Sequence, residues 1–185
     1  MSRLSVPVSA RDHAQGPVEA PVTLVEYGDF QCPSCGQAAA IVQKVQKHFG
    51  DKLRFIYREY PLPMHPMAKP AAEAAEFAGS KDKFWPMHDG LYQGQKHLSQ
   101  EFFVELAGKL HLDGKALTGA LEAGEFQARV EEDLESGDDS DVTGTPTFFI
   151  NGEQHEGSYD EATLIEAIES AVSYTHLTLP TIYSV

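Results

Sequence analysis

The sequence predicts an α/β fold: a mixed central sheet in two halves, separated by an all-helical insertion. Three observations carry this. Two β-branched, apolar runs, residues 22–27 and 53–60, flank a helical stretch that starts at Pro33. A third strand-like run, residues 147–151, ends in an Asn151-Gly152 hairpin signal. Between the second and third runs, residues 64–141 carry helical rather than alternating patterning.

Taken in order, residues 1–20 are polar and turn-rich and read as an extended arm. Residues 21–63 form the first half of the sheet fold. Val-Thr-Leu-Val-Glu-Tyr at 22–27 is a buried strand by composition. Pro33 suits a first helical position, because its fixed φ fits and its missing N–H is not needed there. The helix runs to about His48 with Ile41, Val42 and Val45 as its core stripe, and Gly50 ends it. The insertion holds an alanine-rich helix at 71–78, an aromatic one at 83–92, and one N-capped by Ser99. Two shorter helices follow near 114–122 and 125–136. Residues 142–171 form the second half: the strand at 147–151, a partner strand at 154–158, and a helix from about Asp160.

The chain has 185 residues, room for one domain with a proper core. Its 28 acids against 14 bases give a formal charge of −14. A phosphate backbone wants a basic face, so the charge argues against nucleic acid as a partner, and anionic lipid is disfavoured. The first twenty residues lack an apolar run that could serve as a signal-peptide core, and no segment approaches a membrane span. A cytoplasmic address is therefore expected, with a misassigned start as the alternative.

Both cysteines lie in one tetrapeptide, Cys32-Pro33-Ser34-Cys35, between strand and helix. A bridge closing so short a loop restricts the unfolded chain little, so stapling is a poor reason for it. The spacing favours reactivity. A thiolate at a helix start is stabilised by unpaired N–H groups and the dipole, and its neighbour can resolve a mixed disulfide. The dipole is worth about 0.3–1 kcal/mol, and a pKa unit about 1.4, so it explains a shift of about one unit. A larger shift needs direct hydrogen bonds from backbone amides or the second thiol. Cys32 is expected to be the exposed, attacking sulfur and Cys35 the buried, resolving one.

A lone C-x-x-C is half of a zinc site, but none of the eight histidines forms an H-x3–5-H pair, so no metal is expected. No other cofactor is expected either. The acidic run at 131–141 lacks the loop pattern of a calcium site and reads as a solvated helix end. Glu26 shares a strand face with Val22 and Leu24, where a carboxylate is expensive without a partner or a task. It is either a proton acceptor for Cys35 or a strand-end acid that reaches water or pairs with Lys52 or Arg54. Pro146, in Gly144-Thr145-Pro146-Thr147, is either plain strand-entry punctuation or a cis proline presenting backbone to a substrate. Phe84, Trp85, Phe102 and Phe103 read as core aromatics rather than a binding groove.

Together these residues resemble the DsbA family of thioredoxin-fold thiol–disulfide oxidoreductases. The likeness covers about residues 15–171. It is carried by the lead-in at 20–30, the Cys-Pro-Ser-Cys centre, Tyr60-Pro61-Leu62 with His65-Pro66, the alanines at 71–75, Lys83-Phe84-Trp85-Pro86-Met87-His88, and 144–152. The resemblance implies a thioredoxin-like fold, Cys32 as nucleophile, Cys35 resolving, Glu26 as the buried acid, and a cis Pro146 preceded by Thr145. Pro33, Ser34, Thr145 and Pro146 would then contact substrate, with the helical insertion capping the site. Partners would be protein or peptide thiols and disulfides, with a redox partner from a thioredoxin or glutathione system or a quinone-linked membrane protein. Many relatives have histidine or tyrosine where Ser34 stands, a position that tunes potential in the family. The alternatives are a redox-sensing binding module, a glutathione-dependent isomerase or transferase on a related fold, and a structural zinc protein.

The amphipathic pattern with Leu164, Ile165 and Ile168 on one face breaks at Ser173 without a capping Gly or Asn. Residues 172–181 resemble the translation of a transposon-end sequencing adapter, so residues 172–185 are read as a foreign tail, with a natural disordered tail as the alternative. Sequencing the native locus is expected to show other codons from about position 172. Finding Tyr174 to Val185 encoded there would refute this.

Overall fold

The computed structural model describes residues 1–178, with side chains through Thr175. Its centre is a five-stranded sheet in the order β1-β3-β2-β4-β5. Strand β2 (Val22–Gly28) runs parallel to β3 (Leu53–Glu59) and antiparallel to β4 (Thr147–Ile150), so the sheet is mixed. Helix α1 (Pro33–Phe49) is the crossover between β2 and β3. Helices α2 (Ala68–Gly79), α3 (Phe84–Gln93), α4 (Gln100–Lys109), α5 (Gly114–Ala123) and α6 (Gln127–Asp138) fill the interval before β4. Helix α7 (Glu161–Thr178) closes the described chain. The thioredoxin-like arrangement with its helical insertion is thus present.

Residue alternation along the strands divides the core. Val22, Leu24, Phe55, Tyr57 and Phe148 face α1, α3 and α7 in the larger cluster. Val25, Tyr27, Ile56 and Phe149 face the other way, under Leu4 and Val8 of the N-terminal segment and Leu134 of α6. Burial on both faces is why 22–27 reads as a continuous apolar run rather than an alternating one. Phe84 and Phe103 are buried, and Trp85 and Phe102 pack against the same cluster, so these four belong to the core. Ser99 caps α4, its hydroxyl accepting from Phe102 N at 3.1 Å.

Several boundaries differ from expectation. The arm at 1–20 contains an edge strand, β1 (His13–Gln15), antiparallel to β3. Three residues with polar ends carry no periodicity, and this strand is fixed by tertiary bonds, including Trp85 Nε1 donating to Ala14 O at 3.2 Å. The hairpin partner of β4 is only β5 (Glu153–Gln154); His155 N still donates to Phe148 O at 2.8 Å, but the chain then turns, with His155 Nε2 against Ser158 O. Helix α7 continues through Ser173, where the sequence pattern predicts an end. Ala171 and Val172 still pack against the core there, and Ser173 Oγ donates back to Glu169 O at 3.1 Å. The rest of the suspected tail, residues 179–185, lies outside the described residues.

The N-terminal segment is held by one buried cation. Arg58, on β3, is 2% exposed and makes a forked contact to Asp12 at 2.8 and 3.1 Å. It also donates to the carbonyls of Val6 and Pro7 and to Tyr27 Oη. Burial pushes the Asp12 carboxyl upward, but the Arg58 hydrogen bonds outweigh it and hold Asp12 below its ordinary value. Breaking a buried pair from one side leaves an uncompensated charge and costs about 3–5 kcal/mol. Asp12→Ala is expected to cost about that much in urea unfolding. A loss under about 1 kcal/mol would show that Asp12 does not hold Arg58.

Candidate active site

The site is built where β2 ends and α1 begins. Cys32 is the N-cap residue of α1 (φ −69°, ψ 120°) and Pro33 occupies the first turn. Asp29, fully shielded, positions this junction. Its Oδ1 accepts from Gln31 N at 2.7 Å and Cys32 N at 3.1 Å. Its Oδ2 accepts from Leu62 N at 2.9 Å and contacts His65 Nδ1 at 2.7 Å. From the insertion, Gln95 Nε2 donates to Phe30 O at 2.9 Å and Cys32 O at 2.8 Å. Gly36 leaves room for this amide, since a Cβ there would run into Gln95 Oε1.

Cys32 and Cys35 are both free thiols. Cys32 is 7% exposed and Cys35 0%. The expectation of an exposed Cys32 needs correcting: it is the more accessible sulfur, but a largely covered one. The loop before β4 covers it, with Thr145 O 3.5 Å from Cys32 Sγ. That loop carries a cis Thr145–Pro146 peptide. Pro33 is exposed, and Ser34, Thr145 and Pro146 are partly exposed around the sulfur.

The two sulfurs are perturbed in opposite directions. Cys32 is brought down to about 5, chiefly by the hydrogen bond from the Cys35 thiol, against the upward push of burial. Thr145 and the backbone amides of Cys35 and Ser34 add to the lowering. This is the direct hydrogen bonding that the helix dipole alone cannot replace. Burial pushes the Cys35 thiol far up, and its bond to Cys32 and the nearby Glu26 push it further. Thr145 Oγ1 lowers both sulfurs, yet it has no partner of full hydrogen-bond geometry among the described residues. We read it as a polarising neighbour rather than a fixed donor.

Glu26 lies in mid-sheet, 1% exposed, between Tyr57 on β3 and Phe148 on β4 in register. It is therefore no strand-end acid reaching water. Its Oε1 has no hydrogen-bond partner among the described residues. Burial, and then the negative charge at Cys32, raise its carboxyl to about 8. The structure thus gathers Glu26, Cys32, Cys35, Thr145 and Pro146. Three positioning residues were not among the expected site residues: Gln95, and Asp29 and His65, which lie in stretches that carry the resemblance. Asp29 had a legible signal, a short acceptor three residues before the helix N-cap. Gln95 had none, being a polar residue in a turn far along the chain.

A carboxyl held neutral by the fold makes stability depend on pH. Unfolded, Glu26 ionises near 4.5; folded, it keeps its proton until about 8. The unfolded chain alone gains from ionisation across that window, so this contribution falls as pH rises from 4.5 to 8 and is flat above. Glu26→Gln is expected to change the stability of the reduced protein little at pH ~4.5. At pH ~8.5 it should raise it by up to about 4 kcal/mol, at about 1.4 per unit of pH. Urea unfolding at both pH values checks this; an equal change at the two would contradict it.

Against known proteins, the sequence matches the thioredoxin family over residues 9–170. It is 46% identical to "Na(+)/H(+) antiporter NhaA 1" of Salinispora arenicola over 176 residues, 94% of this chain and 27% of that protein. It is 38% identical to the NhaA 1 antiporter of Mycolicibacterium gilvum over 163 residues, 86% of this chain and 26% of that one. The chain therefore spans about a quarter of these curated relatives. Oxidised BdbD from Bacillus subtilis superposes with a TM-score of 0.85 at 26% identity, over 93% of this chain and 98% of BdbD. Wolbachia pipientis α-DsbA1 does so at 0.81 and 17% identity, over 96% and 98%, a likeness of fold. With its described sheet, dithiol and helical block, the chain belongs to the thioredoxin family and has the DsbA/BdbD-type thiol–disulfide oxidoreductase fold.

Proposed function

We propose that the chain exchanges disulfides with protein or peptide thiols through Cys32 and Cys35. One observation carries this reading: two thiols on one helical turn are driven apart, Cys32 toward thiolate at about 5 and Cys35 strongly toward thiol. The pair therefore has a built-in nucleophile and a built-in proton holder.

In the oxidising direction a substrate thiolate attacks Cys32 Sγ of the Cys32–Cys35 disulfide. The S–S bond breaks and Cys35 leaves as a thiolate that takes a proton, with Glu26 as the adjacent buried donor. A second substrate thiolate then attacks the substrate sulfur of the mixed disulfide. Cys32 leaves as a thiolate, two electrons have moved onto the protein, and the substrate carries the disulfide. The same steps in reverse reduce a substrate. A low-pKa leaving thiol departs faster and stabilises the reduced centre, which favours oxidation of the substrate. A cytoplasmic address, expected from the sequence, would favour reduction. The thiol chemistry and the compartment thus argue for opposite directions, and we take the thiol chemistry. Ser34, Thr145 and Pro146 would receive the substrate backbone beside Cys32, in strand fashion and with little side-chain selectivity.

The antiporter name belongs to proteins of which this chain spans about a quarter. Among the described residues no helix is long and apolar enough to cross a membrane. Exchange at Cys32 is the chemistry these residues support.

Cys32→Ser is expected to abolish exchange with a model peptide disulfide, and Cys35→Ser to accumulate mixed disulfides visible by mass spectrometry. Full activity in Cys32→Ser would end the reading. In glutathione redox buffers the wild-type pair should show one two-electron transition. Its midpoint should lie closer to about −120 mV than to about −270 mV. A midpoint at the lower value would reverse the assigned direction.

A further inference from the structure

A polar cleft of about 430 Å³ opens beside the buried acid, lined among others by Glu26, Gln43, Gln46, Lys47, His88 and Asp89. Two of these residues carry buried polar atoms with no hydrogen-bond partner among the described residues: Glu26 Oε1 and His88 Nε2. Orphaned buried atoms are rare in native proteins, and two on one polar cleft of this size point to bridging water.

The chemistry of His88 is set by its neighbours. Its ring is 6% exposed and sits among Phe30, Tyr57, Trp85 and Tyr92, with centroids 4.6–5.6 Å away. Its Nδ1 stands 2.9 Å from Asp89 Oδ1. A carboxylate accepts, so Nδ1 carries the hydrogen and Nε2 is left with a lone pair. Burial disfavours the charged imidazolium, against the pull of Asp89. His88 is therefore a neutral acceptor, oriented by an acid whose side chain is 41% exposed.

We propose that His88, oriented by Asp89, is a positioning residue for the proton of Cys35: its Nε2 holds the cleft water that receives the proton from Glu26. The inference rests on the exchange reading above. When Cys35 attacks a mixed disulfide at Cys32, its S–H bond breaks and the proton passes to the Glu26 carboxylate. The Cys35–Cys32 bond forms as the substrate leaves as a thiolate. Glu26 then passes its proton to water, and that water passes one to Nε2 or outward past Asp89. No electrons move in these last transfers, and the reverse reaction uses the same path backwards. The other titratable or charged groups around this chain are Cys32 and Lys47 of α1, Tyr57 of β3, Tyr92 of α3 and His13 of β1. The variants below retain all of them.

The reduced protein is expected to react with an aromatic disulfide reagent in two visible steps. Cys32 releases the first coloured thiolate, and Cys35 releases the second by resolving the mixed disulfide. His88→Phe, which keeps a ring in the aromatic nest, is expected to leave the first step unchanged. It should slow the second about tenfold near neutral pH and displace the pH midpoint of that step. Glu26→Gln should slow the second step at least as much, and the double variant no further. An unchanged second step and pH profile in His88→Phe, or a double variant slowed by the product of the two effects, would overturn the proposal. The wild-type chain gives a test that needs no variant. Imidazole ¹⁵N shifts should show Nδ1–H with a bare Nε2, and an Nε2–H tautomer would overturn it. Absence of the first release would sink the exchange reading and this inference together.

Discussion

The Asp29 carboxylate is the contact on which the rest of the site depends. Its two oxygens serve four partners from two stretches of chain: Gln31 and Cys32 at the helix start, and Leu62 and His65 after β3. Without it, the amide of Cys32 and the turn after β3 would lose their common acceptor. With it, the end of β2 is locked against the start of α1, and the sulfur of Cys32 takes a fixed place before the helix amides. Gln95 adds a second restraint by holding the carbonyls of Phe30 and Cys32. The geometry of the dithiol is therefore imposed by neighbours, whereas the two-residue spacing only permits it.

On that frame, reactivity arises from unequal burial. Both cysteines are in the same turn, but one faces the Thr145 carbonyl near the surface and the other faces the apolar core and Glu26. Negative charge is cheap at the first position and prohibitive at the second. Glu26 extends the gradient inward, kept neutral in mid-sheet. The same device appears at the far end of β3, where Glu59 is buried with both carboxyl oxygens unpartnered among the described residues and is pushed up by burial and by Glu76 and Asp133. On this face of the sheet, burial thus favours the protonated form of both acids.

Much of this was legible in the amino-acid sequence, for identifiable reasons. The run at 22–27, the prolyl helix start and the Asn151-Gly152 turn are local signals, and each corresponds to an observed element. The dithiol and the Thr145-Pro146 loop were found because both are short motifs. What escaped is non-local. Strand β1 is specified by Trp85 and β3, from outside its own residues. Gln95 acts on a carbonyl 63 residues before it. The covered state of Cys32 depends on a loop 113 residues later, so a motif-level reading makes the sulfur too exposed. Spacing shows which atoms react, while their solvation is decided by chain segments that no local pattern connects.

The order of the strands has a consequence for the nascent chain. The helix start and its parallel strand partner lie within the first sixty residues, but β4 pairs with the same central strand from positions 147–150. Contacts of such sequence separation form late, because loop closure must precede them. As the chain emerges from the ribosome, both cysteines are made 110 or more residues before Thr145, whose carbonyl covers Cys32 in the folded protein. During that interval a small-molecule disulfide can be attacked by either thiol, forming a mixed disulfide and releasing its other half as a thiolate. Docking of β4 then brings the Thr145 loop beside Cys32, so the last strand to pair sets how openly the first motif meets its surroundings.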